Sequence, residues 1–379
     1  MQSEQQNKVE LIVDWENALK VILKSIEESQ HTIKIRMYMW RDDESWRKIL
    51  NALSQKIIDK PDIRIFIEKD AFWTKVYNLQ KYISMWRMWW DIFSSKIWLD
   101  FIENQKNVDF KNIWTGSLLM FKYNKENNHS KMYLFDEDTS FSKILIWGMN
   151  ISDEYLTAQN ASEPNKWGWH DYMVMIRWEI SKAIYSYEFK KKKRFFKRKI
   201  HEWMSIIMSL KSNQLIRKEL IREIYRAKKN IIIEHWYLTD GAIIRKLKSI
   251  SQKWIKVQII IPDDSDWVYH ANMHSIYKLL KPSLINKREQ NLEVYLYRWM
   301  IHAKVILIDE FTSIIGSANL TKGSFELLHE TNAVFRQKNW ITKDLLNQLK
   351  KDMKSSTRIT LKTIPKYNRW FAWLQKLFI

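Results

Sequence analysis

The chain of 379 residues contains no cysteine. That excludes disulfides, thiolate zinc sites and a cysteine nucleophile, and it fits a reducing compartment. No apolar run approaches the roughly 20 residues that a membrane-spanning helix needs. The first ten residues, Met1 to Glu10, are polar and lack the apolar core of a signal peptide. The expectation is a soluble or peripheral protein on the cytoplasmic face of a membrane. Acidic residues are short against basic ones, 43 against 63, leaving a formal net charge of +20. Such an excess favours an anionic partner, either nucleic acid or an acidic membrane face. Glycine is also scarce, with 6 residues against 21 tryptophans, although glycine ordinarily makes up about 7% of a protein. Several tryptophans stand where a turn calls for glycine: Asp14-Trp15-Glu16, Met88-Trp89-Trp90-Asp91, Ile146-Trp147-Gly148 and Asp266-Trp267. Glycine enters the left-handed backbone region at little cost and tryptophan does not. We therefore expect some of these positions to be UGA codons that the source reads as glycine. Trp40 and Trp169, set beside charged residues, read as true tryptophans.

What is present is a globular composition, 46% hydrophobic and 28% charged, rich enough in apolar residues for a packed core. Runs of Ile, Val and Tyr predict strands at 32–39, 63–68, 132–135, 144–146 and 172–176. A second set falls at 231–234, 257–261, 292–297, 305–308 and 314–315. Helical periodicity lies between them at 15–29, 45–58, 215–227 and 241–251. This alternation predicts a layered α/β fold. The halves repeat each other: the strand leading to Arg36-Met37-Tyr38 matches the one leading to Glu234-His235-Trp236, and 61–68 matches 255–262. The expected division is a first domain over 1–185, a basic linker or helix over 186–212 and a second domain over 213–379. The basic run from Lys190 to Lys199, with Phe195 and Phe196 inside it, reads as a solvated face or as a contact with anionic headgroups. The C-terminal stretch from Pro365 to Ile379, with Trp370, Phe371, Trp373, Leu374, Leu377 and Phe378, reads slightly better as core packing than as an interfacial helix.

The strongest chemical signal is His302-Ala-Lys304, followed by Asp309 and by Gly316-Ser317-Ala-Asn319. The first half offers His129-Ser-Lys131, Asp136 and Trp147-Gly148-Met-Asn150. The His-to-Lys and His-to-Asp spacings are the same in both halves, and the turn before the Asn is longer in the first. On a strand, residues two apart point to the same side, so each His and Lys converge. Lone histidines, His31, His201, His270 and His274, read as structural or surface residues. His235 and Tyr237, at the end of a core strand, are candidates for lining a pocket.

These residues resemble the pattern of the phospholipase D superfamily, H-x-K-x4-D-x6-G-S-x-N, present twice. The second copy matches in full; the first departs in its turn length and in Trp147-Gly148. Asn150-Ile-Ser-Asp-Glu-Tyr155, Trp169-His-Asp171, Asn319-Leu-Thr-Lys-Gly-Ser-Phe325 and Glu330-Thr-Asn332 resemble the cardiolipin synthase branch. The resemblance covers nearly the whole chain and implies two pseudo-symmetric α/β/α-layered domains sharing one active site. It also implies a peripheral, short form without the N-terminal membrane helices of many relatives.

By that resemblance one imidazole, His129, attacks phosphorus to form a phosphohistidine, and His302 is the acid and base. Lys131, Lys304, Asn150 and Asn319 donate to phosphoryl oxygens, with Ser317 in the turn beside them. Glu330 orients His129 and Asp171 orients His302, while Gly148, Gly316 and Asn332 line the substrate site. Asp136 and Asp309 tie down the turns after each strand. Neither a metal nor another cofactor is implied, and no obligate protein partner. Three readings follow: a phosphatidyltransferase making cardiolipin from two phosphatidylglycerols at an anionic membrane surface; a hydrolase of phospholipid or, less favoured, nucleic acid; and an inactive binding module, if Trp147 fills the site.

Overall fold

The computed structural model describes residues 9–40, 43–70, 102, 104–113, 128–137, 139–156, 168–177, 196–209, 213–263, 268–282 and 290–377. It divides into two compact units: Met1–Gly168 with Met173–Arg194, and Trp169–Tyr172 with Phe195–Ile379. Trp89, Trp90, Trp267, Phe195 and most of the basic run lie outside the described residues.

The first unit is built on a seven-stranded sheet. Its strands in chain order are β1 (Val9–Val13), β2 (Thr32–Met37), β3 (Arg64–Asp70), β4 (Val108–Ile113), β5 (Lys131–Phe135), β6 (Lys143–Trp147) and β7 (Tyr172–Arg177). Their order across the sheet is β1-β7-β6-β5-β2-β3-β4. Helix α1 (Trp15–Glu28) buries Trp15, Ala18, Leu19, Ile22 and Ile26, a single stripe at helical spacing. Helix α2 (Glu44–Asp59) buries Trp46, Ile49, Leu50, Leu53 and Ile57. Its first turn is capped by the Asp43 side chain, which accepts from the Trp46 N–H. Asp153 adds a second cap, accepting from the N–H groups of Glu44 and Ser45 at 3.0 and 2.8 Å.

The second unit has a nine-stranded sheet: β8 (Phe196–His201), β9 (Met204–Ser209), β10 (Asn230–His235), β11 (Lys256–Pro262), β12 (Leu292–Tyr297), β13 (Lys304–Ile308), β14 (Thr312–Gly316), β15 (Glu330–Arg336) and β16 (Ser356–Ile359). The order is β16-β12-β11-β10-β13-β14-β15-β9-β8. Set beside the first sheet, β12-β11-β10-β13-β14-β15-β9 repeats β4-β3-β2-β5-β6-β7-β1. The sense of pairing repeats too: β2 is parallel to β3 and antiparallel to β5, as β10 is to β11 and β13. Both faces of the second sheet are covered. Ile306 and Ile308 join the cluster of helices α3 (Leu215–Arg226), α4 (Gly241–Ser251) and α5 (Tyr269–Leu280). Val305 and Leu307, which alternate with them, are equally buried and point the other way. Helices α6 (Lys322–Glu326), α7 (Trp340–Lys354) and α8 (Arg369–Leu377) complete the unit. Among the described residues no helix is long and apolar enough to cross a membrane.

Two expectations change. The stretch 186–212, read as a linker or helix, contains β8 and β9, and β9 pairs along its whole length with β15. The apolar Met204, Ile206, Ile207 and Met208 supply that strand, which lies between β15 and β8, and the charge of the run before it obscures the pattern. The C-terminal stretch, read as core packing, forms α8 with only Ala372 fully buried. Trp370, Phe371, Trp373 and Leu377 are 61%, 45%, 59% and 60% exposed.

Candidate active site

In the first unit, His129 lies just before β5 and Lys131 opens it, both buried. Lys131 Nζ stands 3.1 Å from His129 Nε2 and donates to the His129 carbonyl at 2.9 Å. The Tyr38 ring meets the imidazole edge-on at 4.8 Å and lies 5.4 Å beneath the Lys131 ammonium. The Asn150 N–H donates to the Tyr155 hydroxyl at 3.2 Å. Its side-chain Oδ1 is buried without a hydrogen-bond partner. Trp147 stands opposite Lys131 in the ladder. Its indole stacks on Tyr133 at 4.8 Å and donates to the Met149 carbonyl at 2.8 Å.

The second unit repeats this construction. His302 and Lys304 are buried at the start of β13. Lys304 Nζ is 3.0 Å from His302 Nδ1 and donates to the His302 carbonyl. Trp236 takes the place of Tyr38, with its ring 4.2 Å from the imidazole and 5.2 Å from the ammonium. The Asn319 N–H donates to the Ser324 hydroxyl at 2.9 Å, and Asn319 Oδ1 is again buried without a partner. A buried polar atom left unpaired is costly. Burial pulls Lys304 down to about 8, against the opposing pull of Asp171 and Glu330. His235, opposite Lys304 in the ladder, is held well below its usual range by burial and by that ammonium.

The remaining predicted residues fall into distinct roles. Asp136 accepts from the N–H groups of Gln30, His31 and Thr32 at 2.6 to 3.0 Å. Asp309 accepts from Lys228, Lys229 and Asn230 at 2.7 to 3.0 Å. Each ties the helix-to-strand turn before β2 or β10 to the end of the motif strand, and each has a positive φ, 48° and 57°. Glu330 accepts from the hydroxyls of Ser317 and Ser324, both at 2.5 Å. Gly316 has no room for a side chain: a Cβ there would meet the Thr331 carbonyl at 2.3 Å and Asn332 Oδ1 at 2.4 Å. Asn332 Oδ1 accepts from the Ala318 N–H at 3.3 Å. Tyr237 stacks on Trp236 at 3.9 Å. Asp171 belongs to the short segment Trp169–Tyr172 of the second unit. Its Oδ2 lies 2.7 Å from His302 Nδ1.

Tyr38, Trp236, Tyr155 and Ser324 stand within the matched stretches of the sequence, which gave them no role of their own. The repeat carried the signal: Tyr38 and Trp236 follow equivalent strands, and Tyr155 and Ser324 each stand five residues after the motif Asn. A buried group of His170, Glu234 and Asp352 also went unread. Its ligand atoms lie within 4.8 Å of one another, and the Tyr172 hydroxyl lies among them, within hydrogen-bond distance of each residue.

Two copies of one sheet order, each with a His-x-Lys pair on the same strand, define a phospholipase D-like architecture. Among solved structures the chain is similar to phosphatidylserine synthase of Haemophilus influenzae, with a TM-score of 0.73 at 13% identity over 99% of this chain and 93% of that one. Residues 220–356 match the family described as "Cardiolipin synthase, PLD-like domain". Cardiolipin synthase 1 of Staphylococcus epidermidis is 24% identical over 95% of this chain and 70% of that protein. The cardiolipin synthase of Listeria monocytogenes is 25% identical over 97% of this chain and 73% of that protein. The resemblance to the phospholipase D superfamily and its cardiolipin synthase branch is borne out, as is the α/β fold with two phospholipase D-like halves. Over residues 220–356 the chain thus carries a phospholipase D-like domain similar to that of cardiolipin synthases.

Proposed function

We propose that the protein is a phosphatidyltransferase that condenses two phosphatidylglycerols into cardiolipin and glycerol. The observation that carries the reading is the recurrence of one buried His–Lys pair at the same place in two units that share a seven-strand order. The length of chain shared with cardiolipin synthases directs that machinery to phospholipid.

In this reading His129 attacks the phosphorus of the first phosphatidylglycerol. His302, protonated, gives its proton to the departing glycerol oxygen, leaving a phosphatidyl-His129 intermediate. His302 then takes the proton from a glycerol hydroxyl of the second lipid, whose oxygen displaces the histidine. Lys131, Lys304, Asn150 and Asn319 donate to the phosphoryl oxygens as charge builds on them. Asp171 supports the imidazolium of His302. Ladder register supports Glu330 as its counterpart for His129: Trp147 pairs with Met173 and Gly316 with Asn332, so Asp171 and Glu330 each stand two residues before those partners. The basic surface serves to hold the enzyme on anionic lipid.

The test is incubation with phosphatidylglycerol vesicles and, separately, with single-stranded DNA. Cardiolipin with equimolar glycerol is expected. Phosphatidic acid, or cut DNA, would instead mark a hydrolase, and no product from folded protein would mark an inactive module. With lipid labelled in its phosphate, the protein quenched during turnover should carry an acid-labile adduct, His129→Ala should carry none, and His302→Ala should form it far more slowly.

A further inference from the structure

Asp171 has flanking residues that the reaction does not use. His170 and Tyr172 alternate with it along an extended segment, so their side chains leave on the opposite side. The backbone of the segment is laid on the residues before β13: the His170 N–H donates to the Met300 carbonyl at 3.0 Å, and the His302 N–H donates to the His170 carbonyl at 2.8 Å. The two flanking side chains then run into one buried polar cluster. The Tyr172 hydroxyl is 2.7 Å from Glu234 Oε2 on β10, 3.0 Å from Asp352 Oδ2 on α7 and 3.1 Å from His170 Nε2. His170 Nε2 is 3.5 Å from both Glu234 and Asp352, and its ring stacks on Tyr297 at 5.7 Å. All four residues are buried.

From this we infer that His170, Tyr172, Glu234 and Asp352 form a positioning anchor for Asp171, and through it for the imidazole of His302. This rests on the reading of His302 as the acid and base.

The contacts show why the anchor holds one geometry. The Tyr172 hydroxyl is within donating distance of both the Glu234 and the Asp352 carboxyl groups, with His170 Nε2 beside it. Burial pushes the Glu234 carboxyl up. Burial and the adjacent carboxylates push Tyr172 well up, so it keeps the proton that it offers to the pair. Turning the segment would leave several of these groups unpaired inside the protein. Asp171, fixed between the two anchored residues and also accepting from the Tyr172 N–H at 2.7 Å, is thereby aimed at His302. Glu234 anchors β10 immediately before His235, which faces Lys304, so the same cluster ties down both sides of the motif strand.

The test is a double-mutant cycle on the full chain with phosphatidylglycerol vesicles. Tyr172→Phe removes only the hydroxyl; Asp352→Leu cuts the same anchor from the α7 side at similar volume. Each should lower kcat about tenfold, which is about 1.4 kcal/mol, with KM changed less than twofold. Combined with Asp171→Asn, neither should lower kcat further than Asp171→Asn alone, because all act through one carboxylate. Effects that multiply in the double variants, or full kcat in a folded Tyr172→Phe, would overturn the inference. So would loss of fold in both single variants, which would assign the cluster to stability alone. If His302→Ala itself keeps full activity, the reading of the site fails instead, and the two failures are thus separable.

Discussion

A carboxylate that accepts from three backbone N–H groups is hard to replace. Asp309→Ala leaves the amides of Lys228, Lys229 and Asn230 without their acceptor, and Asp136→Ala does the same to Gln30, His31 and Thr32. Each change should cost roughly 2–4 kcal/mol, read as a lower urea midpoint. Lys304 gives a prediction in pH. Burial draws it down to about 8, so the ammonium is present below that pH and lost above it. The ratio kcat/KM, which reports the free enzyme, should fall as pH rises through about 8. Lys304→Arg stays charged and should lose that limb. Stability moves the opposite way: the unfolded lysine keeps its proton to about 10.4, so the unfolded state binds more protons between these values and stability rises with pH there. Trp254 is the tryptophan among the described residues with a positive φ, 71°, and it is 83% exposed just after α4. Trp254→Gly should therefore stabilise the fold by about 1 kcal/mol. Trp15 and Trp147, which read from sequence as glycine sites, are fully buried with bonded indoles. Position 147 is nonetheless the ladder counterpart of Gly316. Peptide masses of the natural protein across 147 and 254 should read glycine if UGA is recoded, and tryptophan at both would end that idea.

At the scale of elements, most of the scaffold was legible because hydrophobic period and repeat agreed. The strands at 32–37, 230–235 and 304–308 carry Ile, Val and Leu, that at 131–135 carries Met, Tyr, Leu and Phe, and the helices between them bury one stripe each. The His-x-Lys pairs were readable for the same reason, since their spacing recurs at the starts of β5 and β13. What escaped were contacts between segments far apart in sequence. Nothing local to Tyr172 announces Glu234 or Asp352, 62 and 180 residues away, and the partner that sets β9 within the sheet, β15, begins 121 residues after β9 ends. Helix α8 shows the same limit. Its polar residues turn inward: Gln375 accepts from the Ala271 N–H at 2.8 Å, and Lys376 donates to the Ser275 hydroxyl at 3.1 Å. Burial draws Lys376 down to about 8. Trp370, Trp373 and Leu377, spaced three and four apart, face outward with Arg369 and Lys366 exposed beside them. Aromatic residues above basic ones suit a lipid interface. Trp370→Ser with Trp373→Ser should weaken binding to phosphatidylglycerol vesicles in a sedimentation assay while barely moving the thermal midpoint, since both side chains are mostly exposed.

For the whole molecule, the proposed function has the excess of 20 positive charges bring the protein to anionic lipid and the duplicated halves carry out the reaction there. A basic residue near an anionic surface contributes about 1 kcal/mol. Only the few that face the membrane act at once, because the Debye length is about 10 Å at 0.1 M salt and about 3 Å at 1 M. Two contributions then separate. Electrostatic attraction responds to salt and to lipid charge, whereas insertion of the α8 aromatics responds to neither to first order. Binding to phosphatidylglycerol vesicles should fall at least tenfold between 0.1 and 1 M salt, and binding to neutral vesicles should be weak at both. The residual binding at high salt should be the part that the two tryptophan replacements remove. Turnover of a short-chain, water-soluble phosphatidylglycerol should keep its rate across the same salt range, because the chemistry lies in buried His–Lys pairs beyond the reach of surface screening. Binding that ignores lipid charge, or a soluble-substrate rate that falls in step with vesicle binding, would mean that the basic surface serves the reaction itself rather than delivery to the membrane.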